Sequence, residues 1–137
     1  MNIEYLPHTA DIRMKIQGSS MEELFIHGIQ GMNNILKQGF CDPAHQYLHK
    51  TSVETASSGY TNLLIDFLSD VLSYTYTENV MFCQIEFIRF TENLVEAQML
   101  GAPIESFDEE IKAVTYHEAD IKKNAIGNWE TIVVFDI

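Results

Sequence analysis

The sequence predicts an α+β fold: two helices packed on a largely antiparallel sheet, in the order β-α-β-α-β-β-β-β. Three observations carry that reading. Apolar and polar residues alternate in "DIRMKIQ", the period of a half-buried strand. The closing run "VVFDI" reads as an apolar strand, with Val133, Phe135 and Ile137 on one face and Val134 and Asp136 on the other. Two longer stretches instead repeat their apolar residues at helical spacing. After the second of these, strand-like runs follow one another with short connections, which favours helices set on one face of an antiparallel sheet. The 137 residues fit a single domain, 1–137, large enough to bury a core.

Taken in order, the first strand "DIRMKIQ" turns Ile12, Met14 and Ile16 inward and Asp11, Arg13, Lys15 and Gln17 outward. "GSS" then punctuates the chain. Ser20, three positions before Glu23, offers a capping box for a first helix. Met21, Leu24, Phe25, Gly28, Met32, Ile35 and Leu36 follow at helical spacing, and Gly39 suits its end. Gly28 and Gly31 inside this helix each cost about 1 kcal/mol against alanine. Their presence predicts a close approach by a neighbouring element. "HQYLHKTSVETAS" reads as a weaker strand. The second helix carries Leu64, Phe67, Leu68, Val71, Leu72 and Thr75 on its buried stripe. "VMFCQIEFIRF" and "LVEAQML" are consecutive strands turned by Thr91, Glu92 and Asn93. "EIKAVTYHEADIKK" is a further strand, and "NAIGN" turns the chain into the last one.

The net charge is −12, from 20 acids against 8 bases. Such a balance repels a phosphate backbone, so direct nucleic-acid binding is not expected; it favours cations or a basic protein surface. No apolar run approaches the ~20 residues that span a bilayer, so no membrane partner is expected. The start "MNIEYLPHTAD" lacks the basic and apolar regions of a signal peptide, which predicts a cytoplasmic protein. There, Cys41 and Cys83 are expected as free thiols. Uncovered sheet edges leave a homo-oligomer open, with no choice among monomer, dimer and trimer.

Asp11 opens the first strand and Asp136 closes the last. If these strands pair antiparallel, both carboxylates meet at one edge, with the Ile137 carboxylate beside them. Hard oxygen donors of this kind suit Ca²⁺ or Mg²⁺. The competing reading is a pair of solvated edge aspartates. His8, in "PHTAD", is a ligand, a general base or a loop hydrogen-bonding group. In "KAVTYH", His117 shares a strand face with Ala113 and Thr115, and Lys112, on the other face, either balances a carboxylate cluster or is a plain edge lysine. No Gly-rich phosphate loop, nucleophile elbow or HExxH helix is present in the sequence.

These stretches together resemble the archease family. "HTADI" matches its opening signature, "GSSMEELFIHGIQGMNNIL" its first helix, "LLIDFLSDVLSYTYTENVMF" its second helix and exit, and "IKAVTYH" and "VVFDI" its closing signatures. The blocks occur in the family's order over nearly the whole chain. The resemblance implies a cytoplasmic accessory protein rather than an enzyme with its own substrate. Its partner would be an RtcB-type RNA ligase, activated by promoting guanylylation and turnover in tRNA splicing or RNA repair. It also implies a divalent-cation site, described as calcium-binding with Mg²⁺ as the alternative, on Asp11, Asp136 and Ile137. His8, Lys112 and His117 form a second tier of the working surface, and no catalytic residue is implied. Two departures stand out. "GAPIESFDEE" replaces a longer Gly-Glu stretch, with Ala102 where an acid is usual, and Arg13 stands where glycine is common. Two other functions compete: a general chaperone-like modulator of nucleic-acid-processing enzymes, and a metal-dependent phosphoester hydrolase using Asp11 and Asp136 with His8 as base.

Overall fold

The computed structural model describes residues 2–6 and 11–137. The elements run β1 (Ile3–Leu6), β2 (Asp11–Gly18), α1 (Met21–Leu36), β3 (His49–Ala56), α2 (Gly59–Glu78), β4 (Val80–Phe90), β5 (Leu94–Pro103), β6 (Ala113–Thr115), β7 (Lys122–Lys123) and β8 (Trp129–Asp136). The α+β class therefore holds, with both helices where their periodicity predicts.

Local chemistry explains the start of α1. The Glu23 backbone N–H donates to Ser20 Oγ at 3.1 Å, and the Ser19 N–H donates to Glu23 Oε1 at 2.9 Å. The Ser19 bond holds the Glu23 carboxyl below its usual range. The first bond satisfies an amide that a helix start leaves without an intrahelical partner, and the second ties the residue before the cap to the first turn. The helix buries Leu24, Phe25, Met32 and Leu36 completely. A Cβ on Gly31 would collide with Met14 Sδ of β2, and one on Gly28 would stand 3.3 Å from Leu68 Cδ2 of α2. The predicted close approaches are thus to a strand on one side and a helix on the other. All six stripe residues of α2 are buried, and Asn79 ends that helix in the left-handed region at φ 53°.

The strands divide between two sheets rather than joining one. The larger has the order β1-β2-β8-β6, with β7 also paired to β8; the smaller has the order β3-β5-β4. Every pairing is antiparallel. Both helices contact both sheets, so a single core is shared, running from Met14 and Ile16 through Phe25 and Phe67 to Met99 and Phe135. Residue patterns report which face of a strand is buried but not which distant strand it pairs with, so the division is invisible in the sequence. The four-residue β1 is too short to give a periodic signal. The expected long strand around "KAVTYH" is broken after Thr115, where Ala119 N–H bonds back to Tyr116 O and Glu118 takes φ 63°.

One expectation is overturned. Cys41 and Cys83 are not free thiols but a disulfide, 5.5 Å apart at Cα and 42 residues apart in sequence. The expectation rested on compartment, whereas the pairing follows from local geometry. The β4–β5 register slips between Phe82 and Gln84, leaving Cys83 as the extra residue of a bulge. Bulges re-aim a side chain, here towards the chain leaving α1.

Candidate functional site

Strand β8 is central in the larger sheet, between β2 and β6. Its last residue, Asp136, is the Cα partner of Asp11 on one side and of Ala113 on the other. Directly opposite residues of an antiparallel pair project to the same face, with Cβ atoms about 5 Å apart. The Asp11 and Asp136 carboxylates are therefore neighbours on the outer face, whose opposite side buries Met14, Ile16, Val133 and Phe135.

Further along that face, opposite charges meet. Lys15 Nζ lies 3.5 Å from Glu130 Oε2. Arg13 donates through Nε and an Nη to the two oxygens of Glu118, at 2.7 and 2.8 Å. That fork raises the Arg13 pKa further above its already high value. At the Asp11–Asp136 end, two acids are instead set opposite each other.

The segment entering β6 is fastened from below. Tyr76 Oη accepts from the Ile111 N–H at 2.8 Å and donates to Ile111 O at 2.9 Å, and burial pushes its phenol pKa up. The next residue, Lys112, donates its backbone N–H to Asp136 O at 2.7 Å. Thr115 Oγ1 donates to Val134 O at 2.9 Å. Lys112 itself is exposed; its side chain lines a pocket with Tyr76, Phe107 and Ile111. His117 is exposed in the turn after β6, between Tyr116, which donates to Asp66, and Glu118, which Arg13 grips. The Asp66 bond, first among its causes, raises the Tyr116 pKa. Ile137 follows Asp136 and is half-buried against the core. His8 lies outside the described residues.

Among the described residues, no group of three or more His, Cys, Asp or Glu side chains is placed to hold a metal ion. What this edge offers among the described residues is two carboxylates on facing strands. That donor set is all oxygen, which fits a hard cation and not a thiolate- or imidazole-seeking one. Sequence reasoning missed the Arg13–Glu118 clamp, although Arg13 stood out on the exposed face. It also missed the contact of Tyr116 with Asp66, which ties the turn after β6 to α2.

A family model described as the Archease protein family matches residues 3–137. Protein archease of Methanosarcina barkeri is 33% identical over 145 residues, covering 98% of this chain and 94% of that protein. Protein archease-like of Dictyostelium discoideum is 26% identical, covering 90% of this chain and 85% of that protein. Among solved structures, Methanobacterium thermoautotrophicum protein 1598 superposes with a TM-score of 0.78 at 22% identity, covering 99% of each chain. An archease of Thermotoga maritima, described as a possible chaperone, superposes with a TM-score of 0.68 at 20% identity, over 98% of this chain and 96% of its own. At those identities the two structures establish the shared fold. With the match running from Ile3 to the last residue, the chain belongs to the archease family.

Proposed function

We propose that this protein is an accessory factor that activates an RtcB-type RNA ligase, promoting its guanylylation and turnover in tRNA splicing or RNA repair. A divalent cation held at the Asp11–Asp136 edge takes part in that action. Family membership supports the accessory role, and the register that sets Asp11 opposite Asp136 is the single observation that carries the cation site. Set opposite each other with Cβ atoms about 5 Å apart, the two carboxylates repel, and a cation between them would relieve that repulsion. Ca²⁺ takes about six to eight oxygen ligands, and Mg²⁺ keeps several waters. The two carboxylates, an oxygen of Ile137, backbone carbonyls and water would complete either shell. The cation would neutralise the edge, and Lys112 beside it would add a positive contact for a partner. The net charge of −12 suits a partner with a basic surface, as an RNA-binding enzyme carries.

The test is guanylylation of the RtcB-type ligase from the same organism under multiple turnover, with no addition, with this protein, and with Asp136→Ala. The reading expects stimulation by the native chain and none by the variant. Full stimulation by Asp136→Ala would remove the cation edge from the account.

A second reading, a general chaperone-like factor, draws on the description of the Thermotoga maritima relative. Its requirement is a continuous exposed apolar patch. The most exposed large apolar residues are Leu48, just before β3, Ile88 in β4 and Ile126 in the turn between β7 and β8, far apart in sequence. Suppression of aggregation of unrelated proteins at equal stoichiometry would favour it over the dedicated ligase partner.

A further inference from the structure

A sheet edge with nothing beside it exposes a row of backbone donors and acceptors, and folds ordinarily blunt such edges. In the larger sheet the outer strands are short: β1 has four residues, β6 three and β7 two. In the smaller sheet, β4 is an edge interrupted by two register shifts, between Phe82 and Gln84 and between Phe87 and Arg89. Asn33 Nδ2 also donates to Phe82 O there, at 2.9 Å. The opposite edge, β3, has neither device. It pairs with β5 over eight residues without a shift, and among the described residues no other hydrogen bond reaches its backbone.

The exposed face of β3 carries a charge pattern that its own chain leaves unused. Lys50, Ser52 and Glu54 are exposed in succession, alternating with Thr51, Val53 and Thr55. In a chain of 20 acids and 8 bases, Lys50 makes no ion pair among the described residues. Glu54 stands opposite Glu96 of β5, and Arg89 of β4, 3.8 Å from Glu96 Oε1, serves Glu96 from the other side. Four residues of strand, about 13 Å, separate Lys50 from Glu54 within one chain.

We propose that β3 is a dimerisation edge, pairing antiparallel with β3 of a second copy of this chain about a two-fold axis at Ser52. In that register Lys50 stands opposite the partner's Glu54, and Glu54 opposite the partner's Lys50. Directly opposed unlike charges stabilise a ladder and like charges destabilise it, and the two-fold makes the pair twice. Other registers lose the match. An axis at Thr51 or Val53 sets Lys50 opposite Ser52 or Ala56, and an axis at Lys50 or Glu54 opposes like charges. A slip of one strand by a single residue sets exposed side chains against buried ones.

The backbone is satisfied in the same register. It pairs Lys50, Ser52 and Glu54 among themselves, and His49, Thr51, Val53 and Thr55 among themselves. Whichever set turns its N–H and C=O groups outward therefore meets the matching set of the partner. Continued by one residue, the pairing also brings Leu48, 80% exposed, opposite the partner's Ala56. Two three-stranded sheets then join into one, with the interrupted β4 strands at its ends. Although the whole chain carries −12, the exposed face of β3 bears one cation and one acid, so its own copy is the partner that matches it. The Asp11–Asp136 edge belongs to the other sheet and is not used.

Sedimentation velocity from micromolar to millimolar protein tests the pairing. The native chain should pass from 15.7 kDa to twice that mass. Lys50→Glu and Glu54→Lys each turn both attractive pairs repulsive, so the dissociation constant should rise about thirtyfold, while the far-ultraviolet spectrum stays native. In an equimolar mixture of the two variants every reversed position faces its opposite charge again, and a heterodimer of native strength should form. For the register, Ser52→Cys lies on the axis, within the Cα separation of about 4.4–6.8 Å that a disulfide needs, and should cross-link under mild oxidation. Ala56→Cys, whose two copies would stand about 27 Å apart, should not. A native chain that keeps its monomer mass at millimolar concentration would overturn the proposal. So would a dimer that the single reversals leave intact, a mixture no tighter than either variant alone, or Ala56→Cys cross-linking as readily as Ser52→Cys.

Discussion

Gly101→Ala places a methyl group against backbone, and the fold predicts a large cost. Gly101 lies in β5, the middle strand of the smaller sheet, opposite Phe82 of β4 on one side and His49 of β3 on the other. An alanine Cβ there would overlap the Met81 carbonyl oxygen and stand 2.8 Å from its carbon, with Val80 Cγ1 at 2.9 Å. Ordinary contact begins near 3.4 Å, and the carbonyl oxygen is nearer still than its carbon, so β4 must retreat by well over the 0.6 Å that the carbon alone requires (3.4 less 2.8). Overpacking a core costs about 1–3 kcal/mol when side chains can adjust. Here the carbonyl itself must move, which weakens one or two ladder hydrogen bonds at about 1 kcal/mol each. Against this, the reduced entropy of the unfolded chain returns roughly 0.4–1 kcal/mol. The net is a loss of about 3 kcal/mol, or roughly 10 °C in Tm for a chain of this size. Gly28→Ala is the control. Its Cβ meets only the tips of Leu68, Ile16 and Leu64, at 3.3–3.5 Å, and alanine gains about 1 kcal/mol of helix propensity. Urea unfolding of both variants is the assay, with unchanged m confirming the same exposed surface. A Gly101→Ala variant within 1 kcal/mol of the parent, or a Gly28→Ala loss of similar size, would refute the packing argument.

Reducing Cys41–Cys83 in mild dithiothreitol should lower stability by about 4 kcal/mol, the chain entropy released from a loop of 42 residues. Urea midpoints with and without reductant, and for Cys41→Ser with Cys83→Ser, read this directly; coincident midpoints would remove the bond from the stability account. At Glu78, burial raises the carboxyl pKa, but hydrogen bonds from His49 at 2.6 Å and Thr51 at 2.8 Å outweigh it and hold it below the usual value. The carboxylate therefore stabilises the fold above the unfolded value near 4.5, and that contribution is lost as pH falls through the lower folded value. Denaturation from pH 6 downwards should show the native chain exceeding Glu78→Gln at the neutral end and converging with it in acid. A gap that widens in acid would contradict the assignment.

What the sequence makes legible here is local. Ser20 and Glu23 mark the start of α1, and the 3.6-residue spacing from Leu64 to Thr75 marks the buried stripe of α2, because both signals lie within one element. Asp11 and Asp136 are legible as neighbours for a related reason: one opens β2 and the other closes β8, so an antiparallel pairing brings them together. The pairing of β3 with β5 rather than with the larger sheet depends on contacts far apart in sequence. So does the meeting of Cys41 with Cys83, which needs a bulge that no residue pattern announces. Arg13 was visible as an exposed charge, but its partner Glu118 lies 105 residues away, in a turn held by its own left-handed backbone. The alternation of "KAVTYH" suggests a strand through that turn, and Glu118 there ends it.

The cation edge is tested most directly by unfolding the native protein and Asp136→Asn in chelator and again in excess Ca²⁺. In chelator the account predicts that the variant matches or exceeds the native chain by up to about 1 kcal/mol, since a like-charge pair has been relieved. With Ca²⁺ at about 100 times its dissociation constant, the native chain should gain about 2.7 kcal/mol and the variant almost nothing, so the order of stabilities reverses. Equal shifts in both proteins, or no shift in the native one with either Ca²⁺ or Mg²⁺, would contradict the claim that Asp11 and Asp136 hold a cation.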